Sequence, residues 1–147
     1  MMADQQHRRC PPLRAAVTRV TVLIGAGSFA EKWLRVTALS SSEEGVLVVR
    51  VVGEVDSATV GWLREHLHKH LSGVHRGVVL DFTEVSFLAA CGIGLLVELV
   101  DQARAEGVAL RLVARSRAVL RALEVTGVEE LVPRAATVAE AVTQCST

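Results

Sequence analysis

The chain has 147 residues, half of them apolar, and a formal net charge of zero. That length suits one compact domain with an extension, and zero net charge removes any global basic field that would recruit nucleic acid or anionic lipid. Aromatic residues make up 3% and tyrosine is absent, which argues against a base-stacking platform.

Residues 1–33 carry Arg8, Arg9, Arg14, Arg19 and Lys32 against only Asp4 and Glu31. Arg19 interrupts the apolar run that a secretory leader would need, so this segment reads as a flexible or docked cytoplasmic extension. Within it, Gly25, Gly27 and Ala30 match a dinucleotide phosphate loop, with Glu54 or Asp56 available as the ribose-binding acid. The remaining chain is too short of parallel strands for that fold, and the glycines read as a loop.

Two strand-like runs, LRVTAL from Leu34 and VLVVRVVGEVD from Val46, flank a polar turn at Ser40–Gly45. Dense Val and Leu across a tight turn predict an antiparallel pair with the second strand largely buried. Asp56 and Ser57 offer an N-cap, and Val60, Leu63, Leu67 and Leu71 recur at helical spacing up to a C-cap at Gly73. Strand Val78–Phe82 follows, then a short polar stretch and a strand-like VSFL. Asp81 is expected to organise the backbone after its strand.

An Ala89-Ala90-Cys91-Gly92 turn then opens a helix with Ile93, Leu96, Val100 and Ala103 on one face, ending at Gly107. A helix start has unpaired N–H groups and a partial positive charge, and Ser, Thr, Asp or Asn normally caps it. None is present here. Val108–Val113 is the next strand. Ser116 caps a helix carrying Val119, Leu120 and Leu123, which stops at Gly127. ELVP is a short edge piece, and Thr137 with Glu140 forms a capping box for a last helix. Strands alternating with helices predict an α/β domain with a parallel or mixed sheet.

Cys10, Cys91 and Cys145 are too few and too far apart for a disulfide framework or a zinc site. A reducing cytoplasm is the simplest setting, and no apolar run reaches the roughly 20 residues of a membrane span. His66 and His70 stand at i, i+4, but without a third ligand they read as a solvated helix face. No metal or cofactor is expected, and no catalytic constellation is supported by spacing.

The ordered set GEVD, then DFTEVSFLAACGIGLL, then LEVTGVEELVP resembles the STAS domain of bacterial anti-anti-sigma factors (anti-sigma factor antagonists) over residues 34–143. The resemblance implies a STAS-like single domain with a mixed four- to five-stranded sheet flanked by helices, and leaves 144–147 as a tail. It implies a binding protein rather than an enzyme, whose partner is a GHKL-kinase-like anti-sigma factor. Nucleic acid and membrane are not direct partners, and a homodimer is open.

In that family the turn reads Asp-Ser-Ser/Thr-Gly, and the first Ser is phosphorylated to switch the antagonist off. By position the Asp falls on Ala89, the phospho-acceptor on Ala90 and the next hydroxyl on Cys91, while Gly92, Ile93 and Gly94 match. The expected docking surface spans these six residues with Asp56 and Ser57, and takes apolar contacts from Leu88 and Ile93. Ala90 cannot accept phosphate. Cys91 is a candidate redox-responsive thiol, since a helix N-terminus favours thiolate; the alternative is a small half-buried hydrophobe. Two other readings are a STAS subunit of a lipid-transport ABC complex and a small redox- or nucleotide-sensing module.

Overall fold

The computed structural model describes residues 17–22, 34–41, 45–71 and 76–146. The strands are β1 (Val17–Val22), β2 (Leu34–Ser41), β3 (Val46–Val55), β4 (Gly77–Leu88), β5 (Ala109–Val113) and β6 (Arg134–Ala135). The helices are α1 (Val60–Leu71), α2 (Ala90–Glu106), α3 (Arg117–Thr126) and α4 (Val138–Ser146). One sheet runs β1-β2-β3-β4-β5-β6. Its first two pairings are antiparallel and the other three parallel, so the expected α/β class and mixed sheet hold.

Three expectations need correction. Among the described residues the sheet has six strands, beyond the predicted four or five, because Val17–Val22, inside the stretch read as an extension, pairs with β2 from Val36 to Ser41. The last edge strand is Arg134–Ala135 and not ELVP. Pro133 has no N–H to donate to a ladder, but its carbonyl accepts from the Leu112 N–H at 2.8 Å and starts the pairing. Residues 144–146 are no tail: α4 runs to Ser146, and Cys145 is buried. Gly73, the Gly25–Ala30 loop and Cys10 lie outside the described residues.

Strand order follows chain order, so every crossover steps the same way. Helices α1, α2 and α3 therefore share one face of the sheet. Their buried stripes, Leu63 and Leu67, Leu96 and Leu99, Val119 and Leu123, meet Val49, Val51, Leu80 and Phe82 in one large core. The helical periods read from the sequence are these buried stripes. Among the described residues, helix α4 alone covers part of the other face, where Ala141, Val142 and Cys145 pack on Val46, Val48, Val79 and Val113. Helix ends follow local chemistry. Ser116 accepts from the Val119 N–H at 3.2 Å. Thr137 accepts from the Glu140 N–H while the Glu140 carboxylate reaches back to the Ala136 N–H, both at 3.1 Å. No helix among the described residues is long and apolar enough to cross a membrane.

Strand β4 departs most from its sequence pattern. It is one continuous strand through Leu88, not a strand, a polar break and a second strand. Two register shifts against β3 place extra residues near Phe82–Thr83 and at Ser86, which makes them β-bulges. Asp81, 8% exposed, sits at the first and accepts from the Thr83 N–H at 3.1 Å and the Thr83 hydroxyl at 2.7 Å. Across from the second, Gly53 has φ +126°, a conformation open to glycine and costly for other residues. The Ser86 hydroxyl donates to its carbonyl at 3.4 Å.

Candidate functional site

Parallel strands β3 and β4 end side by side, with Val55 paired to Leu88. The Ala89 N–H extends this ladder to the Val55 carbonyl at 2.9 Å. The chain leaves β3 into α1 and β4 into α2, so the starts of both helices lie at one end of the sheet. Asp56 and Ser57 thereby lie at the same end of the sheet as Ala89 and Ala90.

The two helix starts differ chemically. At α1 the Asp56 carboxylate accepts from the N–H groups of Ala58, at 2.9 Å, and Thr59, at 3.2 Å. Thr59 is 1% exposed. Its hydroxyl accepts from the Asp56 N–H and donates to the Glu54 carbonyl, each at 3.0 Å. The polar groups of buried Thr59 are thus satisfied within the turn, as burial requires. The sequence does not single out Thr59, because Asp56 and Ser57 already supply a cap signal. Ser57 is exposed and makes no side-chain hydrogen bond among the described residues.

At α2, Ala89 occupies the cap position with extended backbone (φ −80°, ψ 170°) and no side-chain cap. The Gly92 and Ile93 N–H groups close on the Ala89 carbonyl at 2.9 and 3.2 Å. Those of Ala90 and Cys91 lie in the first turn, where no intrahelical acceptor exists. Ala90 and Gly94 are exposed, one turn apart, and Ala89 and Cys91 are half-buried. A Cβ on Gly94 would meet nothing within 4 Å. The result is a smooth, uncharged patch of small side chains.

Leu88, Gly92 and Ile93 do not belong to that patch, contrary to expectation. Leu88 and Ile93 are 4% and 5% exposed and support the turn from beneath. Gly92 lies so close to β3 and β4 that a Cβ there would stand 2.5 Å from Leu88 Cδ1 and 2.8 Å from Val55 Cγ1. Cys91 packs partly against the main core, while Cys145 lies in the separate core across the sheet.

Behind the patch, polar side chains tie α1 to α2. Arg64 donates to both carboxylate oxygens of Glu98, at 3.1 and 3.4 Å, and His68 faces Glu98 and Gln102. The Arg64 hydrogen bond holds the Glu98 carboxyl below its usual range against a desolvation that raises it, and His68 adds to the lowering. This contribution is present above the unfolded carboxylate's pKa and is lost as pH falls through the lowered folded value. Half-exposed groups make it small. His66 stacks on Trp62 with centroids 3.7 Å apart and turns Nδ1 to the Trp62 carbonyl at 3.1 Å. No three metal-ligating side chains gather among the described residues.

An open α/β sheet usually binds small ligands where its strand order reverses and a crevice opens. The parallel strands here never reverse. Two depressions elsewhere, about 500 Å³ along Arg64–Lys69 and about 210 Å³ between α2, β5 and Pro133, include none of these residues.

The STAS domain family model matches residues 40–141. The chain is similar to Osmosensory protein A of Mycobacterium tuberculosis, with 40% identity over 67 residues, which are 46% of this chain and 42% of that protein. The match thus spans less than half of that relative's length. An anti-sigma factor antagonist from Mycobacterium paratuberculosis superposes with a TM-score of 0.62 at 22% identity, covering 88% of this chain and 96% of its own. The antagonist SpoIIAA of Bacillus, in its unphosphorylated form, gives 0.58 at 22% identity, covering 69% and 88%. At such identity these structures establish the fold.

Proposed function

This chain belongs to the STAS domain family, and from that premise we propose that it is an anti-sigma factor antagonist that docks on a GHKL-kinase-like anti-sigma factor and is not switched off by phosphorylation. One observation carries the reading. At the start of α2, where the family places an acid and a phospho-acceptor serine, an exposed, uncapped turn presents Ala89 and Ala90. SpoIIAA has been solved in a phosphorylated form as well, so the shared fold accommodates such a switch. A phosphoserine would add about −1.5 to −2 charge and three acceptor oxygens to the patch. Ala90 has no oxygen to receive them, and the Ala89–Ala90 turn gains no charge whatever the activity of the kinase.

The test is calorimetric titration of the full chain with each purified GHKL-type anti-sigma factor of its source organism, with Mg-ATP present. A complex is expected, with no phosphate at residues 89–94 by mass spectrometry. Stoichiometric phosphate there, or failure to bind every such protein, overturns the proposal. Binding to an ABC transporter ATPase instead would redirect it to a transport assembly.

A further inference from the structure

Strict alternation along β4 from buried Val85 would turn Ser86 out, Phe87 in and Leu88 out. The bulge at Ser86 breaks the alternation. Ser86 and Phe87 both face outward, and Leu88 turns into the core instead. Phe87 is thereby left 48% exposed, one of three large exposed hydrophobics among the described residues. The other two, Val125 and Leu131, lie at the end of α3 and in the segment before β6. Holding an aromatic ring in water forgoes its burial energy, and bulges beside functional sites commonly re-aim one side chain.

We propose that Phe87 is the apolar anchor of the docking surface and inserts into an apolar pocket with a basic rim on the anti-sigma factor. Phe87 is three residues before Ala90 and lies at the same end of the sheet, on the face away from α2. A partner capping the strand ends would touch both. The basic rim follows from charge complementarity. Glu54 pairs with Phe87 across the β3–β4 ladder, is partly exposed, and makes no ion pair among the described residues. Aromatic side chains at the centre of an interface, ringed by charge, carry much of its affinity.

This inference rests on the function proposed above, and the experiment separates the two. The anti-sigma factor that binds the unmodified chain is titrated with Phe87→Ala, Val125→Ala and Glu54→Lys chains, and each is melted thermally. Phe87→Ala should bind on the order of 30-fold more weakly with an unchanged melting temperature, and Val125→Ala should bind normally. Glu54→Lys should associate more slowly, with a weaker salt dependence. Equal affinity for Phe87→Ala and the unmodified chain overturns the anchor while leaving the antagonist reading intact. A large fall in its melting temperature also overturns it, by assigning Phe87 to the fold. If no anti-sigma factor binds the unmodified chain, both proposals fall.

Discussion

Replacing Gly92 by alanine is expected to destabilise the fold by about 2–3 kcal/mol and to lower the melting temperature by roughly 6–12 °C. Helix propensity alone predicts the opposite sign, since alanine in a helix is favoured over glycine by about 1 kcal/mol. Packing decides. The new Cβ would stand 2.5 Å from Leu88 Cδ1 and 2.8 Å from Val55 Cγ1. Leu88 could rotate only inside a filled core, where it is 4% exposed, and Val55, 0% exposed, is β-branched and stiff. The cheaper response is for the first turn of α2 to lift from the sheet, which displaces Ala89 and Ala90 as well. Gly94 is the control. With nothing within 4 Å of its added Cβ, Gly94→Ala should stabilise by about 0.5–1 kcal/mol. Thermal and urea unfolding of both chains checks the pair, and a stabilised Gly92→Ala chain would refute the close-packing account.

A negative charge at position 90 is expected to abolish docking without harming the fold. Ala90→Glu places a carboxylate in the first turn of α2, where the helix dipole favours it by about 0.3–1 kcal/mol. The melting temperature should hold or rise slightly. Binding should weaken by about 3–5 kcal/mol, roughly 100-fold or more, because the partner would bury an unpaired charge. Ala90→Ser should bind normally until Mg-ATP is added, then take up one phosphate and dissociate. Opposite shifts in stability and affinity separate a surface effect from unfolding. An Ala90→Glu chain that binds as tightly as the parent would remove position 90 from the interface.

The helix-bearing half of the fold was legible because its signals are local. Val60, Leu63, Leu67 and Leu71 repeat at the helical period, and Ser116, Thr137 and Glu140 cap helices through atoms three or four residues away. The uncapped turn at Ala89 could be read for the same reason. The misreadings share a non-local cause. Strand β1 exists through its pairing with β2, and its own run mixes Arg19 with apolar residues. The bulge at Ser86 depends on Gly53, 33 positions earlier on the neighbouring strand. A side-chain period of two tolerates no insertion, so one extra residue exchanges the roles of Phe87 and Leu88. That exchange moved the apolar contact from the residue expected to the one beside it.

The smaller core beneath α4 makes this molecule its own chemical clock. Cys145 lies over Gly77, where even an added Cβ would come within 2.5 Å of the cysteine Cβ, and burial raises the Cys145 thiol above its ordinary range. The thiol is inert while α4 is seated. Ala141, Val142 and Cys145 of that helix are buried in a core separate from the one that holds the other three helices, and local opening can lift one element without global unfolding. Each detachment would expose the sulfur to an alkylating reagent. The labelling rate of one natural residue would then time the opening of the rear face of the sheet, separately from global unfolding and from events at the far end of β4.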